Sequence, residues 1–376
     1  MKVRIDKAAL TVPLYRAQGV VDRKATTNVI ACVHVSAGDD GLVLSATDYD
    51  VTMTASVAAE VLEPGAVLVN GRALFEVVRA LPEGSVVELT GEPNHRLRIV
   101  AGRATYHLNG LDPAEFPGGS IEAQPRLGLY CDKGHIEAML RRTLFSVSQD
   151  DTRPALNGVL LEIEPVAEGQ VLIRMVSTDG HRLSKSERTV ACSSHDGSSH
   201  RCIVHRRGAT ELQRILEGSD PSVHIGFSGR NVVFASDKAR LQVKQIDETF
   251  PDYGRVIPEK GDISVSLPLP ELVGAIRRVG AVSASKDATL RFELTDGRIV
   301  LEMNHQDLGD AHEEIEPASY KGGHQKVGFN PRYLLDVCQV LATDNVSLEL
   351  SDQFSPCLVH SEEDPGSVFV IMPMRL

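Results

Sequence analysis

The sequence predicts an α+β protein made of three repeated domains with antiparallel sheets, and three observations predict it. From Asn330 to Leu350, apolar residues first fall at helical spacing (Leu334, Val337, Cys338, Leu341) and then, after Thr343-Asp344-Asn345, alternate at Val346, Leu348 and Leu350. That order of helix, turn and strand occurs twice earlier: Leu74, Val77, Val78 and Leu81 before Val87 and Leu89, and Leu212, Ile215 and Leu216 before Val223, Ile225 and Phe227. The closing leucines Leu81, Leu216 and Leu341 lie 135 (216 − 81) and 125 (341 − 216) residues apart, each about a third of the 376-residue chain. A period this long is a whole domain, since solenoid units run to roughly 20–50 residues. Other landmarks keep register: Thr47-Asp48 with Thr178-Asp179, and Phe116-Pro117 with Phe250-Pro251. Strands outnumber helices and hairpin-length turns join them, whereas a parallel sheet would need a helix in every crossover. The expected domains are 1–125, 126–260 and 261–376, each with two helices and about eight strands; a β-sandwich with decorating helices is the alternative.

Taken in order, Asp6 to Val21 carries a helical stripe (Ala9, Leu10, Leu14, Val20) interrupted by Pro13, which fits best in a first turn. Extended segments follow at Asn28–Val35, Gly41–Ala46, Val51–Val57 and Ala66–Val69, with Gly38-Asp39-Asp40-Gly41 as a turn signal. A helix over Gly71–Leu81, a strand over Val86–Leu89 and a pair at Leu97–Ala101 and Ala104–Leu108 complete the first repeat. The second opens at Asp132-Lys133, where Ile136, Met139, Leu140, Leu144 and Val147 form one stripe. The third opens near Leu267, with Leu272, Ile276 and Val279 facing away from Arg277 and Arg278. Gly118–Arg126 and Arg255–Asp262 have linker composition.

Length and an apolar content of 42% allow substantial cores in two or three domains. A net charge of −12 argues against nucleic-acid binding by bulk charge, unless its distribution overrules the sum. The opening Met1-Lys2-Val3-Arg4-Ile5-Asp6-Lys7 lacks the roughly 7–15 residue apolar run of a secretory signal, and no uncharged apolar stretch reaches about 18 residues. A cytoplasmic protein without membrane contact is expected. Six cysteines without a CxxC read as reduced, mostly buried thiols, with no disulfide expected.

No GxSxG, P-loop, GxGxxG, HExxH or EF-hand loop is present. The acidic doublets Asp150-Asp151 and Glu313-Glu314 read as solvated loops. Cys192, His195, His200 and Cys202 could hold zinc in a metal-dependent enzyme, but their spacing matches no standard finger and they sit in a Ser/Gly-rich loop without an apolar seat. No metal, cofactor or catalytic residue is expected.

Cations are more informative. The first helix of each repeat carries Lys7 and Arg16, then Lys133, Arg141 and Arg142, then Arg277 and Arg278; the second carries Arg72 and Arg79, then Arg206, Arg207 and Arg214, then Arg332. Arginine on every helix of an acidic chain suggests one cationic surface made of helices, able to meet phosphates without reading bases. The competing reading is an ordinary wet helix face, because Glu76, Glu211 and Asp336 occupy matching positions.

Five motifs then carry a resemblance: Leu156-Asn157-Gly158, Thr178-Asp179-Gly180-His181-Arg182-Leu183, Phe250-Pro251-Asp252-Tyr253, Gly328-Phe329-Asn330 and the closing Phe369-Val370-Ile371-Met372-Pro373-Met374-Arg375-Leu376. From end to end the chain resembles the bacterial sliding clamps, the β subunits of DNA polymerase III. The resemblance implies a head-to-tail homodimer whose six clamp domains close a ring, each chain forming half, with helices lining the hole. It implies no catalytic site. Topological linkage would explain the charge pattern, since a closed ring needs only loose, sequence-independent contact to stay on duplex DNA. Partners would be the replicative polymerase, the clamp loader and repair proteins, each through a short apolar peptide.

Carried over by motif, the peptide pocket comprises Leu156, Thr178, Gly180, His181, Arg182, Leu183, Pro251, Arg255, Val256, Asn330, Tyr333, Val370, Met372, Pro373, Met374 and Arg375. Its Leu, Val, Met and Pro make an adaptable apolar groove, while His181, Arg182 and Arg375 are expected to hold backbone or a polar anchor. Expected DNA contacts are Arg23, Lys24, Arg72, Arg79, Arg141, Arg142, Arg153, Arg207, Arg277 and Arg278, and the expected ring interface sets Tyr106 and Leu108 against Ala281 and Val282. The chain departs from the pattern at Asp287, where the family often has an aromatic, at Phe354-Ser355-Pro356, and in the acidic loop Gln149–Pro154. Ala281 and Val282 are small for the interface. These departures keep a second reading open: a diverged clamp paralogue acting as a partner-binding or resistance variant.

Overall fold

Six α-helices occur along the described residues: α1 (Lys7–Val20), α2 (Gly71–Ala80), α3 (Lys133–Thr143), α4 (Arg206–Leu216), α5 (Leu269–Val279) and α6 (Pro331–Val340). The computed structural model describes residues 1–21, 29–117, 127–193, 197–218, 221–282 and 288–376. They form two compact units, residues 1–137 with 191–198 and 204–245, and residues 138–190 with 199–203 and 246–376.

The second helix of each repeat starts the same way. Asn70 Oδ1 accepts from the Ala73 amide at 2.9 Å, His205 Nδ1 from Arg207 at 3.2 Å and Asn330 Oδ1 from Arg332 at 3.0 Å. Each cap satisfies an amide that a helix start leaves without a partner. The helices then bury the stripes that the periodicity marks: Leu74 and Val78, Leu212 and Ile215, Leu334 and Val337.

Two helices differ from expectation. Pro13 lies in the middle of α1, not in its first turn. Buried Leu10, Leu14, Ala17 and Val20 hold the helix together despite a proline cost of about 3 kcal/mol. Helix α3 stops at Thr143, short of the stripe's last residues, and Leu144–Ser146 continue as a 3₁₀ turn. Thr143 Oγ1 donates back to Met139 at 2.9 Å, and Ser177 Oγ donates to the Thr143 carbonyl at 2.5 Å, which withdraws that carbonyl from the helix.

The strands pair antiparallel throughout the runs that follow. In the first unit, Glu60–Glu63, Lys2–Asp6, Val86–Glu92, Arg96–Ala101 and Ala104–Leu108 form one five-stranded sheet in that order. A second run joins Gly65–Asn70, Cys32–Gly38, Gly41–Thr47 and Val51–Val57. It continues through Ala239–Ile246, because Val51 pairs with Val243 and Ala55 with Ala239, and then through Asn231–Ala235 and Ser222–Ser228 to Leu127–Asp132. In the second unit, Gly309–Ile315, Arg298–His305, Leu290–Thr295 and Gln325–Phe329 form a four-stranded sheet. Another run joins Ile263–Pro268, Asn345–Leu350, Cys357–His360, Ser367–Ile371 and Arg182–Ala191. The first and second repeats are thus joined edge strand to edge strand, and so are the second and third. One core packs α5 and α6 around Phe292, Phe329 and Phe369. A smaller one, around Leu160, Val176, Leu183, Phe250, Leu358 and Val370, lies where Arg182–Ala191 meets Ser367–Ile371.

Candidate functional site

Every residue of the expected peptide pocket belongs to the second unit. Its floor follows from strand register. Leu183 is the partner of Val370, and Arg182 of Ile371, so two motifs nearly 190 residues apart lie side by side. Leu183 and Val370 are almost fully buried in the smaller core, while Val256 (43%) and Met372 (37%) remain exposed. Apolar surface of this kind, flanked by polar groups, is what a short apolar peptide would cover.

The loop Thr178–Arg182 would form one wall of the expected pocket. Thr178 Oγ1 donates to the Arg182 carbonyl at 2.6 Å, and Asp179 Oδ1 accepts the amides of His181 and Arg182, both at 3.0 Å. Gly180 turns this corner at φ +90°, a conformation that favours glycine, and a Cβ there would meet Arg153 Nη1 at 2.9 Å. The loop delivers Arg182 inward. Its Nε donates to Asp179 at 3.0 Å, its Nη1 to Asp336 at 2.7 Å and its Nη2 to the Phe145 carbonyl at 2.5 Å. The guanidinium also lies 4.5 Å from the Tyr333 ring centroid and 5.2 Å from that of Phe145. With all three nitrogens occupied, Arg182 braces the Thr178–Arg182 loop against α6; the sequence reading expected it to hold backbone or a polar anchor. A cavity of about 410 Å³ adjoins this brace, lined in part by Leu144, Gln149 and Arg332.

The Phe250–Val256 segment is tied from beneath. Tyr253 Oη donates to Glu162 at 2.8 Å, and Arg174 donates to Glu162 and Glu187, both at 2.9 Å. Burial pushes the Tyr253 phenol up to about 12, with Glu162 adding to the rise. Pro251, Arg255 and Val256 lie exposed on the outer side of this anchored segment. Leu156 closes a 3₁₀ turn, buried, its carbonyl accepting from Ser148 at 3.1 Å.

The chain's end would form the remaining wall. The Met372 amide donates to the His181 carbonyl at 2.9 Å and the Met374 amide to Gly328 at 2.8 Å, which carries the tail past Asn330 at the start of α6. Thr289 Oγ1 approaches Met374 Sδ at 3.8 Å. The tail is therefore bonded directly to the Thr178–Leu183 loop and to Gly328, three residues before α6.

Three family models match the chain in turn. The DNA polymerase III beta subunit N-terminal domain matches residues 1–120, the central domain 132–252 and the C-terminal domain 254–375. The chain belongs to the DNA polymerase III beta subunit family. It is similar to the "Beta sliding clamp" of Caulobacter vibrioides, at 35% identity over 379 residues with both chains covered in full. It is similar in structure to the Caulobacter crescentus beta sliding clamp solved with polyethylene glycol, with a TM-score of 0.91 and 34% identity, covering 100% of this chain and 99% of that one. A Pseudomonas aeruginosa clamp bound to griselimycin matches with a TM-score of 0.89 and 32% identity over all of both chains.

For a β-subunit chain, the expected DNA contacts divide by environment. Arg72, Arg141, Arg153 and Arg277 are exposed. Arg79 is exposed but paired with Glu76, and Arg278 with Glu313. Arg142 is buried, its Nε donating to Asp364 at 2.8 Å, and Arg207 pairs with Asp48 while donating to the Val20 carbonyl. These two hold the fold, a use that helix position alone did not reveal. Arg23, Lys24 and Asp287 lie outside the described residues. Tyr106 and Leu108 sit on Ala104–Leu108, the last strand of the five-stranded sheet, and Ala281 and Val282 in the 3₁₀ turn after α5. Cys202 is buried and Cys192 half-buried, while His195 lies outside the described residues. Among those described, no group of His, Cys, Asp and Glu is placed to hold a metal, and no helix is long and apolar enough to cross a membrane.

Sequence reasoning missed Phe145 and Asp336, which together with Asp179 fix Arg182. Asp336 carried a signal: Glu76 and Glu211 at the matching positions pair with arginines three residues on, Arg79 and Arg214, whereas Asp336 has Gln339 there. An acid without its helical partner is free to pair elsewhere.

Proposed function

We propose that two copies of this chain close head to tail around duplex DNA, each contributing three clamp domains divided near residues 125 and 260, and that the groove of the second unit tethers partners to the ring. The chain is a non-catalytic sliding clamp subunit, a processivity factor for DNA polymerase III. Its partners are DNA of any sequence, a second copy of itself, the polymerase and repair proteins. The pairing of Leu183 with Val370 carries the groove assignment, because it sets the Thr178–Leu183 loop against the Val370–Arg375 tail. Leu156, Pro251, Arg255, Val256, Asn330 and Tyr333 complete it. Burying two or three apolar anchors at about 25 cal/mol per Å², less ordering costs, gives micromolar-class affinity. Exposed Arg72, Arg141, Arg153 and Arg277 meet phosphates from the inner face, which suits a ring that must slide. The work is done on replicating DNA in the bacterial cytoplasm.

Two open edges support the ring. Among the described residues, Ala104–Leu108 and Gly309–Ile315 each end a sheet, where a strand of a second copy could add to the ladder. The deciding test is retention on circular and on linearised duplex DNA after loading, at moderate salt. Retention on circles with loss from linear ends is expected. Equal retention that fades with salt would mean simple electrostatic binding.

A further inference from the structure

Outside the groove, two thiols face each other across an isolated piece of antiparallel ladder. Tyr130 and Ser193 exchange both backbone hydrogen bonds, N to O at 3.2 Å in each direction. They are therefore a hydrogen-bonded pair, and the next residues along, Cys131 and Cys192, are the directly opposed non-hydrogen-bonded pair. In such pairs the Cα atoms lie about 4.5 Å apart and the side chains leave on the same face. That separation falls within the roughly 4.4–6.8 Å that a disulfide spans. Burial confirms the shared face: Tyr130 is exposed while Cys131 is buried, and Ala191 and Ser193 are exposed while Cys192 between them is half-buried. Both thiols are free, and Cys192 is the one oxidant can reach.

We propose that Cys131 and Cys192 are a disulfide-forming pair, a redox modification site that takes a small disulfide oxidant such as oxidised glutathione. The Cys192 thiolate attacks one sulfur of the oxidant and releases the first glutathione as thiolate. The Cys131 thiolate then attacks the Cys192 sulfur of the mixed disulfide and releases the second. The two thiol protons end on two glutathione molecules, which also take up the two electrons the protein loses. Burial pushes the Cys131 thiol up to about 12, with Asp132 and Cys192 adding to the rise, and burial also raises Cys192. Closure is therefore slow near neutral pH and accelerates as the solution is made alkaline. The link would join the two ends of the segment that carries Leu156 and the Thr178–Leu183 loop.

The test treats the whole native chain with oxidised glutathione at a series of pH values, blocks remaining thiols under denaturing conditions, and maps peptides without reduction. The expected product is a Cys131–Cys192 linked peptide, formed faster at higher pH, removed by dithiothreitol and absent from the Cys192→Ser chain. A stable glutathione adduct on Cys192 with Cys131 still free, a link from Cys192 to Cys202, or no reaction at Cys192 would each overturn the proposal.

Discussion

Arg182 and Asp336, 154 residues apart in sequence, meet at 2.7 Å and join the Thr178–Leu183 loop to α6. The same guanidinium lies over the ring of Tyr333, one turn before Asp336 on that helix. The loop is therefore held to α6 by a planar cation gripped edge-on by acids and face-on by aromatics. Arg182→Ala leaves Asp179 and Asp336 facing each other without a counter-charge and removes the plate between Phe145 and Tyr333. A loss of about 1.4 kcal/mol in peptide binding, tenfold in Kd, is expected. Arg182→Lys keeps the charge but not the fork or the stack, and should recover little. Titration with a short apolar peptide measures both; unchanged affinity in Arg182→Ala would contradict the brace.

The tail makes a separable contribution. Removing Met374, Arg375 and Leu376 deletes the Met374–Gly328 hydrogen bond and the Met374–Thr289 contact but leaves the pairing of Val370 with Leu183 intact. Peptide binding should fall below detection at micromolar concentrations while sedimentation still shows the dimer. Full affinity in the shortened chain would remove the tail from the groove.

How much was legible in the sequence depends on the range of the interaction. Caps and stripes are local, so α2, α4 and α6 could be read from Asn70, His205 and Asn330 and the leucines that follow. The Lys2–Asp6 strand escaped because charges interrupt it, yet Val3 and Ile5 are buried and Arg4 pairs with Glu88 at 3.1 Å. The motifs of the pocket were visible as words, but their meeting depends on which edge strands pair, and no local pattern encodes that. Arg142 shows the same limit: it reads as a wet helix cation until the chain returns 222 residues later with Asp364.

His205 predicts a pH dependence. Its Nδ1 caps α4 by accepting from Arg207, so it must be neutral there; burial chiefly lowers its pKa, with Arg206 adding to the fall. A base whose folded pKa is depressed stabilises the fold above its unfolded value, about 6.5, and loses that contribution as pH falls through the folded value. Burial lowers His34 and His224 in the same direction. Unfolding midpoints should drop as pH is taken below about 6.5. His205→Asn keeps a capping acceptor that does not titrate and should flatten that slope. An unchanged slope would place the proton elsewhere.

Ring closure is the most exposed prediction, because it rests on few residues. Tyr106, 37% exposed, and Leu108 project from the open strand Ala104–Leu108, where a second copy would bury them against Ala281 and Val282. Val282 is half-buried against the core around α5, so little side chain remains to cover Tyr106. With small residues on one side, the aromatic ring and the leucine would carry most of the apolar contact, as anchors do at other interfaces. Tyr106→Ala with Leu108→Ala removes both while leaving the strand's backbone in place. Sedimentation at low concentration should then show monomers, and loaded protein should leave circular DNA as readily as linear. A dimer that survives the double substitution would show that backbone pairing along the open strand, not these two side chains, closes the ring.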